Sequence, residues 1–107
     1  MSDTATVIDD VATRVEIPEH GTLSKVLYRD DRLRVILFAF DAGQELTSHA
    51  VPLAAVIQVV SGKLRLTLGD ATTEVGAGAW VHMPPKLSHA VHALEPAVML
   101  LSMLSAV

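Results

Sequence analysis

The chain contains no cysteine, so disulfide staples and thiolate metal ligands are both excluded. Aromatic side chains are scarce, with one Trp, one Tyr and two Phe among 107 residues. Any core must therefore be aliphatic. Half of the residues are hydrophobic, which is enough to build one at this length. Positive charge is also short: eight Lys and Arg against twelve Asp and Glu leave a net charge of −4. The basic residues form no run, which argues against a nucleic-acid partner. No apolar run approaches the roughly 20 residues of a membrane-spanning helix, so no membrane association is expected. The opening stretch MSDTATVIDD is acidic and polar and lacks the basic-then-apolar order of a signal peptide. The expectation is a cytoplasmic protein, with a flexible N-terminal arm over residues 1–10 and one domain over residues 11–107.

Helical periodicity is weak, while Val, Ile and Thr recur between closely spaced turn residues. That pattern predicts an all-β sandwich or small barrel of roughly ten short strands. A first strand is expected over Val11 to Ile17, stopped by Pro18-Glu19-His20-Gly21, and a second over Thr22 to Arg29. Arg32 to Phe40 becomes apolar on both faces, as a strand covered on both sides would. Val56 to Val60 reads as a buried strand. Lys63 to Leu68 has the cleanest alternation, with Leu64, Leu66 and Leu68 facing in. Thr72 to Val75, Trp80 to Met83, His89 to Ala93 and Ala97 to Leu104 complete the set. Met83 and Met99 to Met103 read as core filler.

Two glycine-anchored segments carry the candidate chemistry. Gly43 to Gly62 reads GQELTSHAVPLAAVIQVVSG and holds His49; Gly78 to His89 reads GAWVHMPPKLSH. Together they resemble the two motifs of the cupin superfamily. Gly43, His49 and Gly62 fall in register with the first motif, and Gly78, Pro84 and His89 with the second. The departures are specific. Val51 stands at the second His of the first motif and Ala55 at its Glu. Lys86 replaces a Gly of the second motif and Ala93 its Asn. His49-Ala50-Val51-Pro52 and the apolar ending MLLSML are similar to small single-domain members whose first motif reads His-x-x-Pro. The resemblance covers about Arg32 to Leu104 and implies a double-stranded β-helix, the jelly-roll cupin barrel.

In the full family pattern, three His and one Glu hold a divalent metal, often iron, manganese, nickel or zinc. The resemblance carries over only His49 and His89, and a catalytic zinc usually takes three protein ligands. A third would have to come from elsewhere. His82 and His92 are opposed by strand parity, which turns each away from its core-facing neighbours. Gln58 is a lone polar residue in an apolar run, and Gln44 and Glu45 are expected to be exposed. His20 lies in a turn and is expected to be solvated.

The resulting expectation is a small, largely apolar ligand in a pocket lined by His49, Val51, Ala55, Ile57 and His89, with a degenerate metal site and no confident cofactor. A histidine in such a pocket can serve as general acid or base. No paired carboxylates lie near the histidines, and neither a P-loop nor G-x-S-x-G is present in the sequence. The alternative is a metal-dependent dioxygenase, isomerase or lyase, with His49, His89 and a non-standard third ligand. A third reading is an interaction module acting through a partner. A homodimer is expected under each, through Trp80, Gln58 and the doubly apolar strand Val35 to Phe40.

Overall fold

Period-two alternation of aliphatic and polar residues demands a sheet with one face covered. The computed structural model describes residues 4–105, apart from the side chains of Ser48 and His49, and resolves this demand into nine strands. They are β1 (Thr22–Arg29), β2 (Leu33–Phe40), β3 (Glu45–His49), β4 (Ala54–Ser61), β5 (Lys63–Leu68), β6 (Ala71–Gly76), β7 (Trp80–Met83), β8 (His89–Ala93) and β9 (Ala97–Leu104). Every pairing is antiparallel. One sheet has the order β1-β2-β9-β4-β7 and the other β3-β8-β5-β6. Strands next to each other in sequence are thus repeatedly placed in different sheets, which is the jelly-roll arrangement.

The two sheets close on an aliphatic core. Ile57, Met99 and Phe40 of the first sheet and Leu64, Leu66 and Val91 of the second are nearly or wholly inaccessible. β2 is apolar on both faces for a reason the structure makes plain. Ile36, Phe38 and Phe40 belong to the inner core, while Leu37 and Ala39 belong to a second cluster with Val98. Val15 and Leu27 pack against that second cluster from outside. The N-terminal segment therefore covers part of the outer face of the larger sheet.

That segment corrects one expectation. Val11 to Ile17 is not a strand: Val11–Arg14 forms a 3-10 turn followed by extended chain. The Asp10 carboxylate accepts from the Ala12 amide at 3.1 Å, and the Thr13 hydroxyl donates to the Asp10 carbonyl at 2.8 Å. Such local bonds compete with a sheet ladder, and here they win. Conversely, Glu45–His49 is a strand that alternation alone did not announce. The other bounds agree to within about two residues, the usual uncertainty of strand ends.

Candidate functional site

The sheet order lays the two glycine-anchored segments side by side. β3 from the first pairs with β8 from the second, and the ladder continues beyond β3. The Gly43 amide donates to the Ala93 carbonyl at 2.8 Å, and the Ala93 amide to the Gln44 carbonyl at 2.9 Å. Register runs Glu45 to His92, Leu46 to Val91, then His49 to His89. Three residues of β3 are thus spanned by two steps of β8, which is a β-bulge. Without it, position 49 would share parity with Glu45 and Thr47. With it, position 49 stands directly opposite His89. The bulge is what brings the two sequence-predicted histidines together, and spacing alone did not reveal it. The His49 side chain lies outside the described residues.

His89 is 3% exposed and is the single buried polar or charged residue among those described. It alternates with Val91 and Ala93, which face the core. Its Nδ1 lies 3.0 Å from the Leu87 carbonyl oxygen. A carbonyl can only accept, so Nδ1 carries a proton and donates to it. That bond fixes the orientation of the ring.

The loop before His89 is tied to the loop after β3. The Lys86 amide donates to the Val51 carbonyl at 2.7 Å. Lys86 has φ +69°, a left-handed conformation that explains why a Gly is at home here. Val51 is half-buried and packs against the core. Ala55 and Ile57 are each 1% exposed. Ala55, at the family's Glu position, lies between Met83 and Met103 in the sheet. The cross-strand neighbours of that position are therefore apolar, and neither supplies the oxygen or nitrogen donor of the family's site.

The remaining histidines lie elsewhere. His82 is exposed on the outer face of β7. His92 lies on the outer face of β8, where its Nδ1 is 2.8 Å from a Glu45 carboxylate oxygen. That pair continues across the sheet through Arg65 to Glu74, whose carboxylate also takes Lys63 at 3.7 Å. His20 is solvated in its turn, close to Glu19. Among the described residues, no three His, Cys, Asp or Glu side chains converge.

One cluster escaped the sequence reading, which saw the arginines as scattered. A cross-strand row at the His89 end of the barrel runs Arg29, Arg34, Met103, Ala55, Met83. Arg34 has the inward parity of Ile36, Phe38 and Phe40. A cleft of about 230 Å³ opens there, lined by Arg29, Arg32, Arg34, Leu53 and Met103 among others. Asp30 shapes the hairpin beneath it. Its carboxylate accepts from the Tyr28 hydroxyl and from the Arg32 and Leu33 amides, both at 2.8 Å. These bonds, the tyrosine's first, hold the Asp30 carboxyl below its ordinary range; the same bond pushes the Tyr28 phenol up.

Comparison with known proteins bears on this geometry. The family model described as a cupin domain matches residues 36–103. The chain belongs to the cupin family. A conserved protein of unknown function from Streptococcus pyogenes has a similar structure, with TM-score 0.86, 30% identity, and coverage of 99% of this chain and 92% of that one. A cupin superfamily protein from Desulfitobacterium hafniense superposes with TM-score 0.85 at 22% identity, over 90% of this cupin and 88% of the other. An uncharacterised protein of Streptomyces coelicolor is 34% identical over 64 residues, which is 60% of this chain and 61% of that protein's length. Among the described residues, no helix is long and apolar enough to cross a membrane.

Proposed function

We propose that this cupin binds a small ligand with an apolar body at the His89 end of its barrel, without a resident metal. The observation that carries the reading is His89 itself: one buried, hydrogen-bond-oriented imidazole among Val, Leu, Met and Ala side chains. Apolar pockets with very few placed polar groups are the usual make-up of small-molecule sites. A histidine ring fixed in this way can take part in polar contact with a ligand. In this reading the half-buried Val51 and the buried Ala55 and Ile57 supply the apolar surroundings. A metal of the family type does not fit the residues present. Counting position 49, this end offers two imidazoles, with Val51 and Ala55 where further donors would stand, and three ligands are the usual minimum for a catalytic zinc.

The test is metal analysis of untagged protein after exposure to iron, manganese, nickel and zinc, alongside nitrogen-detected spectra of the His89 ring. The expected result is substoichiometric metal and an Nδ1–H tautomer. Stoichiometric metal, lost in both His49→Ala and His89→Ala, would overturn the reading in favour of a metal-dependent enzyme. We also propose that the chain pairs with a second copy of itself, through the outer face of β4, β7 and β9.

A further inference from the structure

Arg29 and Arg34 stand directly opposite one another in the β1–β2 ladder. Like charges in that relation destabilise a sheet unless something compensates them. Among the described residues, neither guanidinium has an ion-pair or hydrogen-bond partner. The neighbouring carboxylate of Asp30 is turned to other partners, accepting from Tyr28 and two backbone amides. Two uncompensated cations therefore begin a cross-strand row that continues, on the same face, into Met103 and Ala55. The cleft over this row has Leu53 and Met103 in its lining and lies at the end of the barrel that holds His89.

We infer that this cleft binds a monocarboxylate with an apolar body, its carboxylate between Arg29 and Arg34 and its body over Met103 and Leu53 toward the barrel mouth. The inference rests on the mouth being a ligand pocket and names the ligand's class. A guanidinium fork matches a carboxylate in geometry as well as charge. Three arginines and two aspartates line the cleft, a net charge of +1 (three minus two), which suits one negative charge better than the two of a phosphate monoester. The volume, about 230 Å³, is below the roughly 300–1,000 Å³ of typical ligand sites, so the molecule is small.

Amide-detected titrations of the full chain test this with octanoate, 3-phenylpropionate, 1-octanol, acetate and inorganic phosphate. One or both of the two long carboxylates should bind, with shifts across Arg29 to Arg34, Leu53 and Met103, and the tighter one identifies the body as aliphatic or aromatic. Octanol, acetate and phosphate should each bind at least about tenfold more weakly than that carboxylate. Arg34→Gln and Arg29→Gln should weaken it by a similar factor and leave octanol binding unchanged, which also reports that the variants are folded. Arg14→Gln, the same loss of charge outside the cleft lining, should change nothing. If octanol matches octanoate and the arginine variants have no effect, the anion subsite is wrong while the apolar pocket stands. If acetate matches octanoate, the coupling of anion to apolar floor is wrong. If no probe binds, both this inference and the pocket reading fail.

Discussion

Two residues, one at each end of the barrel, show how single backbone positions control the fold. Gly62 has φ +80°, and a Cβ built there would lie 2.2 Å from the Pro96 carbonyl oxygen and 2.6 Å from the Ala97 Cα. Both are backbone atoms, so neither can swing aside. Gly62→Ala should cost about 2–5 kcal/mol, from left-handed strain plus overpacking. Lys86 is the opposite case: an exposed side chain held at φ +69° where the family's Gly would sit without strain. Lys86→Gly should stabilise by roughly 0.5–1 kcal/mol, the strain relieved less the extra entropy of an unfolded glycine. For a domain of this size that is a rise in Tm of roughly 2–6 °C. Thermal unfolding of the two variants checks both signs at once, and a Tm at or below wild type for Lys86→Gly would remove strain as the account of this position. His89 shows the limit of reading single residues. Its register in the motif was legible in the chain, but the Leu87 carbonyl that fixes its tautomer belongs to a loop whose path no spacing predicts.

Strands were legible where one face was buried and the other solvated. Lys63 to Leu68 is the plainest example, with Leu64 and Leu66 inaccessible and Lys63 and Arg65 exposed. Legibility failed where a local hydrogen bond or an extra residue set the geometry instead. The β3 bulge and the Asp10 cap are of this kind, since both depend on which backbone group a side chain or partner strand reaches first. The clustering of Arg29 with Arg34 was hidden for a related reason: a register irregularity between Val26 and Tyr28 decides which face Arg29 joins. Turn carboxylates also hold the elements in place. Asp41 accepts from the His20 and Ala42 amides, each at 2.8 Å, and so joins the turn before β1 to the end of β2. These bonds, His20's first, hold the Asp41 carboxyl below its ordinary range, as Tyr28 and its neighbours do for Asp30. A carboxyl depressed in the folded state stabilises it above the unfolded value, near pH 4, and the contribution is lost as pH falls through the lower folded value. Denaturant midpoints should therefore drop as pH falls from about 5 to about 2. Asp41→Asn should be less stable than wild type near neutrality, and the two curves should converge at the acid end. A gap that stays constant across the window would show that Asp41 acts through something other than its charge.

At the level of the whole molecule, what the chain lacks returns as a structural statement. β4, β7 and β9 adjoin in one sheet and contain no Asp, Glu, Lys or Arg among them. Their inner face is core, which explains half of that absence. Among the described residues, the outer face is not covered to match. One outward row runs Leu37, Leu100, Gln58, Trp80. At its Leu37 end the second cluster, with Val15 upon it, is closed from water, but Gln58 is exposed and Trp80 is 62% exposed. Leu104, at 46% exposed, extends the same face. A surface meant for water carries interspersed charge and few large apolar side chains, and this one has neither property. A second copy is the occupant that fits. The three strands put no Asp, Glu, Lys or Arg on this face, so it meets its own image without repulsion between such charges. The Gln58 amide, donor and acceptor at once, can pair with itself across a two-fold axis, and the Trp80 ring supplies the area that such interfaces favour. Light scattering should give a dimer mass, with Trp80 emission shifted to the blue of a solvated indole. Trp80→Glu should yield a folded monomer, because burying an unpaired carboxylate at the dimer centre costs several kcal/mol while on a lone surface it costs little. Wild-type protein with a monomer mass at every concentration would leave this face without a partner and overturn the proposal.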